Sequence, residues 1–190
     1  MKDTQINEIE KTLTALKHGK TILYPTDTVW GIGCDATNFN AIEEILKLKQ
    51  REKGKTMIVL VDSIQMLKRY VYKIPSTAYT IIEHNTKPTT IIYDKPMGIS
   101  ENLVASDNTL AIRIVQNDFC RKLIRKFKKP IVSTSANISG ERTPKSFSEI
   151  SPEILKGVDY VVNLYQNKKS TKPSSIIKLS NNGMVKVIRE

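Results

Sequence analysis

Residues 25–33 read Pro-Thr-Asp-Thr-Val-Trp-Gly-Ile-Gly and set hydroxyls, a carboxylate and two glycines side by side. Lys49, Gln50 and Arg51, with Lys55 just before the next apolar run, add three cations and an amide. Residues 133–140, Ser-Thr-Ser-Ala-Asn-Ile-Ser-Gly, are too polar for a core and bring further hydroxyls and an amide. These are the groups that hold phosphate and carboxylate oxygens. Arginine offers a planar fork of donors, lysine a compact charge. Chemistry built from such a set works by positioning anions and neutralising charge that develops during transfer. Each stretch also has a plainer account: a turn, a helix C-terminus dressed with cations, and a Ser/Asn N-cap.

The stretches flank short apolar strands, and in open α/β sheets ligands sit there because strand ends and helix N-termini expose unpaired backbone groups. Apolar residues at Ile6, Ile9, Leu13 and Leu16 predict an amphipathic helix over residues 4–17, with Gly19 as C-cap. Residues 20–24 predict a strand stopped by Pro25, and residues 26–36 a loop. Asn38 caps a predicted helix that turns Phe39, Ile42, Ile45 and Leu46 inward and runs out in Lys47, Lys49 and Arg51. Strands are predicted over 56–61, 90–93, 110–115, 131–133, 158–162, 175–179 and 184–188, and helices over 64–70, 76–84, 118–128 and 148–155. Asn181-Asn182-Gly183 is a hairpin signal between the last two strands. Strands and helices alternate without a repeat or long linker, so the predicted class is α/β (α+β), one domain over residues 1–190 with a mixed sheet.

Composition narrows the functions. The chain has 190 residues with 30 Lys+Arg against 19 Asp+Glu, a net charge of +11 that suits nucleic acid, nucleotide phosphates or simply a lysine-rich surface. The longest apolar runs, such as residues 57–61, fall far short of the roughly 20 residues of a membrane-spanning helix. The first eight residues carry acids and no apolar core, so no secretory signal is expected and the cytoplasm is the expected location. Cys34 and Cys120 have no metal-ligand spacing, and His18 and His84 stand far apart, which leaves no material for a zinc site or a His-based triad. Aromatic content of 6% argues against a single-strand binder built on base stacking.

Taken together, residues 24–36, Lys49-Gln50-Arg51, Ala111-Ile112-Arg113, residues 133–140 and Pro173-Ser174-Ser175-Ile176-Ile177 resemble the YrdC-like threonylcarbamoyl-AMP synthases, in the family's order and over nearly the whole chain. The form resembled is the short one, without an extra C-terminal domain. The resemblance implies a twisted mixed sheet with flanking helices around a deep, positively lined cavity. It implies a nucleotidyltransferase that joins L-threonine, bicarbonate and ATP into threonylcarbamoyl-adenylate and pyrophosphate. Downstream machinery then carries the group to adenosine 37 of tRNA. Lys49 and Arg51 are implied as catalytic and are expected at the surface of the cavity. Arg51, Lys55, Thr109, Ser135, Asn137, Thr143 and Arg189 are implied around ATP, and Thr28, Arg113, Ser133 and Ser175 around threonine. Arg113 is the natural carboxylate partner, since a cation in an apolar strand is costly unless an anion satisfies it; the plainer account is an edge-strand residue facing solvent. Magnesium (Mg2+) is expected with ATP, held by phosphates and water without a dedicated protein site.

Three positions depart from the family pattern. Residues 85–90 replace a Pro-Gly-Pro-like turn, Leu60 stands where a histidine is common, and Asp27 stands where glutamate is commoner. A second reading comes from the predicted helix 118–128. Arg121, Arg125 and Lys129 are four apart, as are Lys122 and Lys126, and such a stripe suits either an RNA backbone or solvent. It supports the alternative of a non-catalytic module binding tRNA or double-stranded RNA. The basic run 167–172 is expected as a flexible loop over the cavity.

Overall fold

The structure, a computed structural model, describes residues 2–51 and 57–190. Helix α1 (Lys2–Lys17) buries Ile9, Leu13 and Leu16, whereas Ile6, one turn earlier, stays exposed. Gly19 ends it in the left-handed region at φ +71°, and a Cβ there would meet the Asn38 side chain at 2.9 Å. Strand β1 (Ile22–Tyr24) then pairs antiparallel with β2 (Gly31–Gly33).

β2 lies inside the stretch expected as loop. Its Gly-Ile-Gly sequence has little strand propensity. Close approach explains the glycines, since a Cβ on Gly33 would stand 2.3 Å from the Val132 carbonyl oxygen. Helix α2 (Phe39–Leu48) is capped by Asn38, whose side chain accepts from the Ala41 N–H at 3.1 Å. It buries Ala41, Ile42, Ile45 and Leu46. Phe39, expected inward, is exposed at the helix start.

Strand β3 (Ile58–Val61) follows, then a single turn α3 (Ile64–Leu67) capped by Ser63, shorter than its apolar spacing suggested. The expected first residue of β3, Thr56, lies outside the described residues. Helix α4 (Ser76–His84), β4 (Thr89–Asp94), β5 (Thr109–Ile114), α5 (Asp118–Phe127) and β6 (Ile131–Ser135) come next. The chain closes with α6 (Pro152–Gly157), β7 (Tyr160–Val161), β8 (Ser175–Leu179) and β9 (Val185–Arg189). The helix expected over 148–155 is instead a 3-10 turn at Phe147–Glu149 followed by α6, because Pro152 suits a helix's first turn but not its interior.

The strands form one mixed sheet in the order β7-β1-β2-β6-β3-β5-β4-β8-β9. β3 runs parallel to β5 and antiparallel to β6, which puts Leu60 beside Arg113 and Ile58 beside Ser133. Because side chains alternate along a strand, Ile58, Arg113 and Ser133 share one face. Ile112 turns to the other, together with Ile91, its partner on β4. Burial of α5's Phe119, Leu123 and Ile124 helps lock this register; each fully buried side chain of this size contributes about 1.5–3 kcal/mol.

Candidate functional site

On the first face lies a cavity of about 220 Å³ that draws on eight separate parts of the chain: the loop before β2, the residues after α2, the start of β3, β5, β6, the loop carrying Thr143, the chain entering β8, and the end of β9. Arg51, Arg113 and Arg189 line it together with Ser133, Ser135, Thr143 and Ser174, and none of the described lining residues is a carboxylate. Six residues singled out from the sequence thus meet in one place. Val29, Met57 and Ile58 add apolar lining.

Arg113 is 3% exposed, on a strand flanked by β3 and β4, so the solvent-facing edge account fails. Its Nη2 donates to Asp27 Oδ1 at 2.9 Å, and Asp27 Oδ2 accepts the Gln116 N–H at 3.2 Å. The anion that burial of this cation demands is therefore Asp27, while Arg113 Nε is buried without a partner. Arg189 crosses from β9 and donates through Nε and Nη2 to the Ser174 carbonyl at 3.0 and 2.8 Å. Burial, reinforced by repulsion from Arg113, holds its pKa below the ordinary arginine value. Burial lowers that of Arg51 as well.

Lys49 departs from expectation. Instead of standing at the cavity surface it is 1% exposed, and its Nζ donates to the Ser135 and Asn137 carbonyls, both at 2.5 Å. Its own carbonyl accepts the Ser139 N–H at 2.8 Å. The lysine pins the polar 135–139 run to the end of α2, because two carbonyls of that run take its ammonium protons and would otherwise lack these donors. Burial first, then the charge of Arg51, lowers its pKa to about 8.

The same run forms a turn after β6 rather than capping a helix. Asn137 closes it by donating to the Ile138 and Glu141 carbonyls at 2.8 and 3.0 Å and does not line the cavity. Thr109 begins the strand that ends near Arg113, four residues or about 13 Å away. Its hydroxyl donates to Asp107. Ser175 pairs with Thr89 in β4, on the opposite face from its neighbours Ser174 and Ile176, which do line the cavity. Thr28 is buried beside an adjoining cavity of about 310 Å³. Lys55 lies outside the described residues.

The basic run 167–172 is seated rather than loose. Thr171 donates its N–H to the Thr28 carbonyl at 2.8 Å and its hydroxyl to the Asp27 and Thr28 carbonyls, and the Ser170 N–H reaches the Lys145 carbonyl at 2.8 Å. Sequence reasoning missed Ser174, although the Pro-Ser-Ser run was noticed; only strand register decides which serine faces inward. It also missed Asp27 as the partner of Arg113.

A profile of the Sua5/YciO/YrdC family, described as telomere recombination, matches residues 14–190. The chain belongs to the Sua5/YciO/YrdC family. A threonylcarbamoyl-AMP synthase of Pseudoalteromonas translucida is 35% identical over 159 residues, 82% of this chain and 84% of that one. The fold matches Escherichia coli YciO with a TM-score of 0.83 at 24% identity, covering 96% of this chain and 88% of that one. It also matches P. abyssi Sua5 complexed with L-threonine, TM-score 0.80 at 24% identity; that match covers 90% of this chain but spans only half, 50%, of the Sua5 chain. In the family frame the mixed sheet and its flanking helices are as the sequence predicted. No helix among the described residues is long and apolar enough to cross a membrane.

Proposed function

We propose that this Sua5/YciO/YrdC-family enzyme is a threonylcarbamoyl-AMP synthase acting on L-threonine, bicarbonate and ATP, and that its product supplies the modification at adenosine 37 of tRNA. The observation that carries the reading is the convergence of Arg51, Arg113 and Arg189 with serine and threonine hydroxyls on one cavity without a lining carboxylate among the described residues. Relatives at about this identity bear the synthase name, and a threonine-bound Sua5 shares the fold.

In the reaction, the threonine amine attacks bicarbonate carbon and water leaves, giving a carbamate. A carbamate oxygen then attacks the α-phosphorus of ATP, and the bond to the bridging oxygen breaks with release of pyrophosphate. Arg51 and Arg189 hold phosphate oxygens and neutralise charge as the leaving group departs. Arg113 Nε is the donor available to the threonine carboxylate, while Asp27 keeps the guanidinium in place. Ser133, Ser135 and Thr143 supply neutral hydrogen bonds. Lys49 serves as a positioning residue that fixes the Ser135 end of the turn. Magnesium suits this site only through phosphates and water, since the described lining offers it no carboxylate.

Pyrophosphate release measured with ATP should require both L-threonine and bicarbonate. Release indifferent to threonine, or bicarbonate having no effect, would remove the assignment.

A further inference from the structure

On the face of the sheet away from Arg113, a separate cavity of about 280 Å³ opens between α4, α5 and strands β4 and β5. Its apolar wall is Ile81, Ile91, Ile112 and Ile114. Tyr93 lines it, is 2% exposed, and its hydroxyl makes no hydrogen bond among the described residues. Burial raises the phenol's pKa, so the hydroxyl keeps its proton and stands as a donor. The hydroxyl is not among the buried atoms left without a partner; it keeps accessible surface on the cavity side and can donate to a molecule seated there.

The mouth carries two exposed cations, Lys87 and Arg121. Among the described residues no carboxylate pairs with Lys87 Nζ. The carboxylate nearest Arg121, Asp118, is 3.9 Å from it and is bonded at 2.7 Å to Lys122. Asp62 also lines the cavity, but Arg125 faces it at 3.5 Å and Ser63 donates to its other oxygen. The charge offered to an entering molecule is positive.

We propose that this cavity binds a small organic acid. The acid has an aromatic or branched body against the isoleucines, an acceptor for the Tyr93 hydroxyl, and one carboxylate held by Lys87 and Arg121. An apolar pocket with a few convergent polar groups is the usual form of a small-molecule site, and this volume sits just under the roughly 300–1,000 Å³ of drug-sized pockets, which restricts the occupant to a single ring or a short branched chain. None of these residues takes part in the reaction proposed above. One peptide joins the two sites: Gln116 lines the organic-acid cavity while its N–H bonds Asp27, the partner of Arg113.

The test is titration of the 15N-labelled full chain with 4-hydroxyphenylacetate, whose ring, phenol and carboxylate match the three features, followed by amide shifts. Saturable shifts are expected at Ile91, Tyr93, Ile112, Ile114 and Gln116. Tyrosol, which has an alcohol in place of the carboxylate, should bind at least about tenfold more weakly, as should the acid to Arg121→Ala. Tyr93→Phe should weaken binding about threefold or more without lowering thermal stability, because the hydroxyl it removes has no partner among the described residues. Absence of saturation up to roughly 20 mM, shifts confined to Arg51, Arg113 and Arg189, or equal affinity of Arg121→Ala would each overturn the proposal.

Discussion

Two regions of this molecule use the same residue types to opposite ends. Along α5, Lys122 bonds Asp118 at 2.7 Å, Arg125 faces Asp62, Lys126 bonds Glu10, and Lys129 bonds Asp35 at 2.7 Å. Four cations of that stripe thus face an acid of the chain itself, while the fifth, Arg121, stands 3.9 Å from Asp118. In the cavity three arginines crowd together, and the bonded carboxylate, Asp27, sits behind Arg113 rather than among the lining residues. Burial there pushes the pKa values of Arg51 and Arg189 down, a sign that their charged forms stand in a poor solvent. A count of basic residues does not distinguish the two regions. The placement of acids and the depth of burial do, because an anion entering the cavity relieves a cost, whereas one approaching Lys122, Arg125 or Lys126 must displace a partner.

The largest expected effect lies at the back of the cavity. Arg113→Ala strands Asp27, which is 9% exposed and would retain only the Gln116 N–H, so urea unfolding should show a loss of about 3–5 kcal/mol. Replacing both partners by apolar residues, Arg113→Met with Asp27→Leu, should recover much of that stability but no activity. Unchanged stability in the single variant would mean that the buried pair is not what holds this region. Next in size, Arg51→Ala should leave the fold intact while lowering threonine-dependent pyrophosphate release roughly 10²–10³-fold, the usual cost of removing one donor that stabilises transition-state charge. A variant turning over normally would sever Arg51 from the chemistry.

How much of this was legible in sequence follows from the range of the interactions involved. The α5 helix was plain, since Phe119, Leu123 and Phe127 recur at helical spacing and Asn117 caps the Cys120 N–H locally. Strand β2 was not, because its glycines answer to the approach of β6, a hundred residues away in sequence. The clustering of Arg51, Arg113, Ser133, Ser135, Thr143 and Arg189 could be expected from motif resemblance, yet the chemistry of single side chains could not. Lys49 and Arg51 are two residues apart; one became a buried staple and the other lines the cavity, a division set by where the 135–139 turn presents its carbonyls. Ser174 and Ser175 differ in role by a single step of strand alternation, which local sequence does not fix.

Lys49 gives the cavity region a pH signature of its own. Its folded pKa of about 8 lies below the ordinary 10.5, so between these values the unfolded chain binds more protons than the folded one. Stability should therefore rise as pH increases from about 8 towards 10.5, by a few kcal/mol at most, and Lys49→Met should flatten that slope. Urea midpoints of the two proteins across this range make the comparison. A wild-type profile no steeper than that of Lys49→Met would show the ammonium to be at home in its site.

The smallest effects are the ones that test whether the stripe is only surface. Lys122 and Asp118 are half exposed and four residues apart on α5, a spacing at which an ion pair contributes about 0.3–0.5 kcal/mol. Lys122→Ala should cost no more than that in unfolding, should cost less still in high salt where the pair is screened, and should leave pyrophosphate release within about twofold of the parent. Combining Lys122→Ala with Lys126→Ala should remain near additive, since each cation answers to a different acid, Asp118 and Glu10. If the double variant instead lost activity as Arg51→Ala does, the stripe would belong to the working surface, because self-paired charge that only meets solvent cannot be that sensitive.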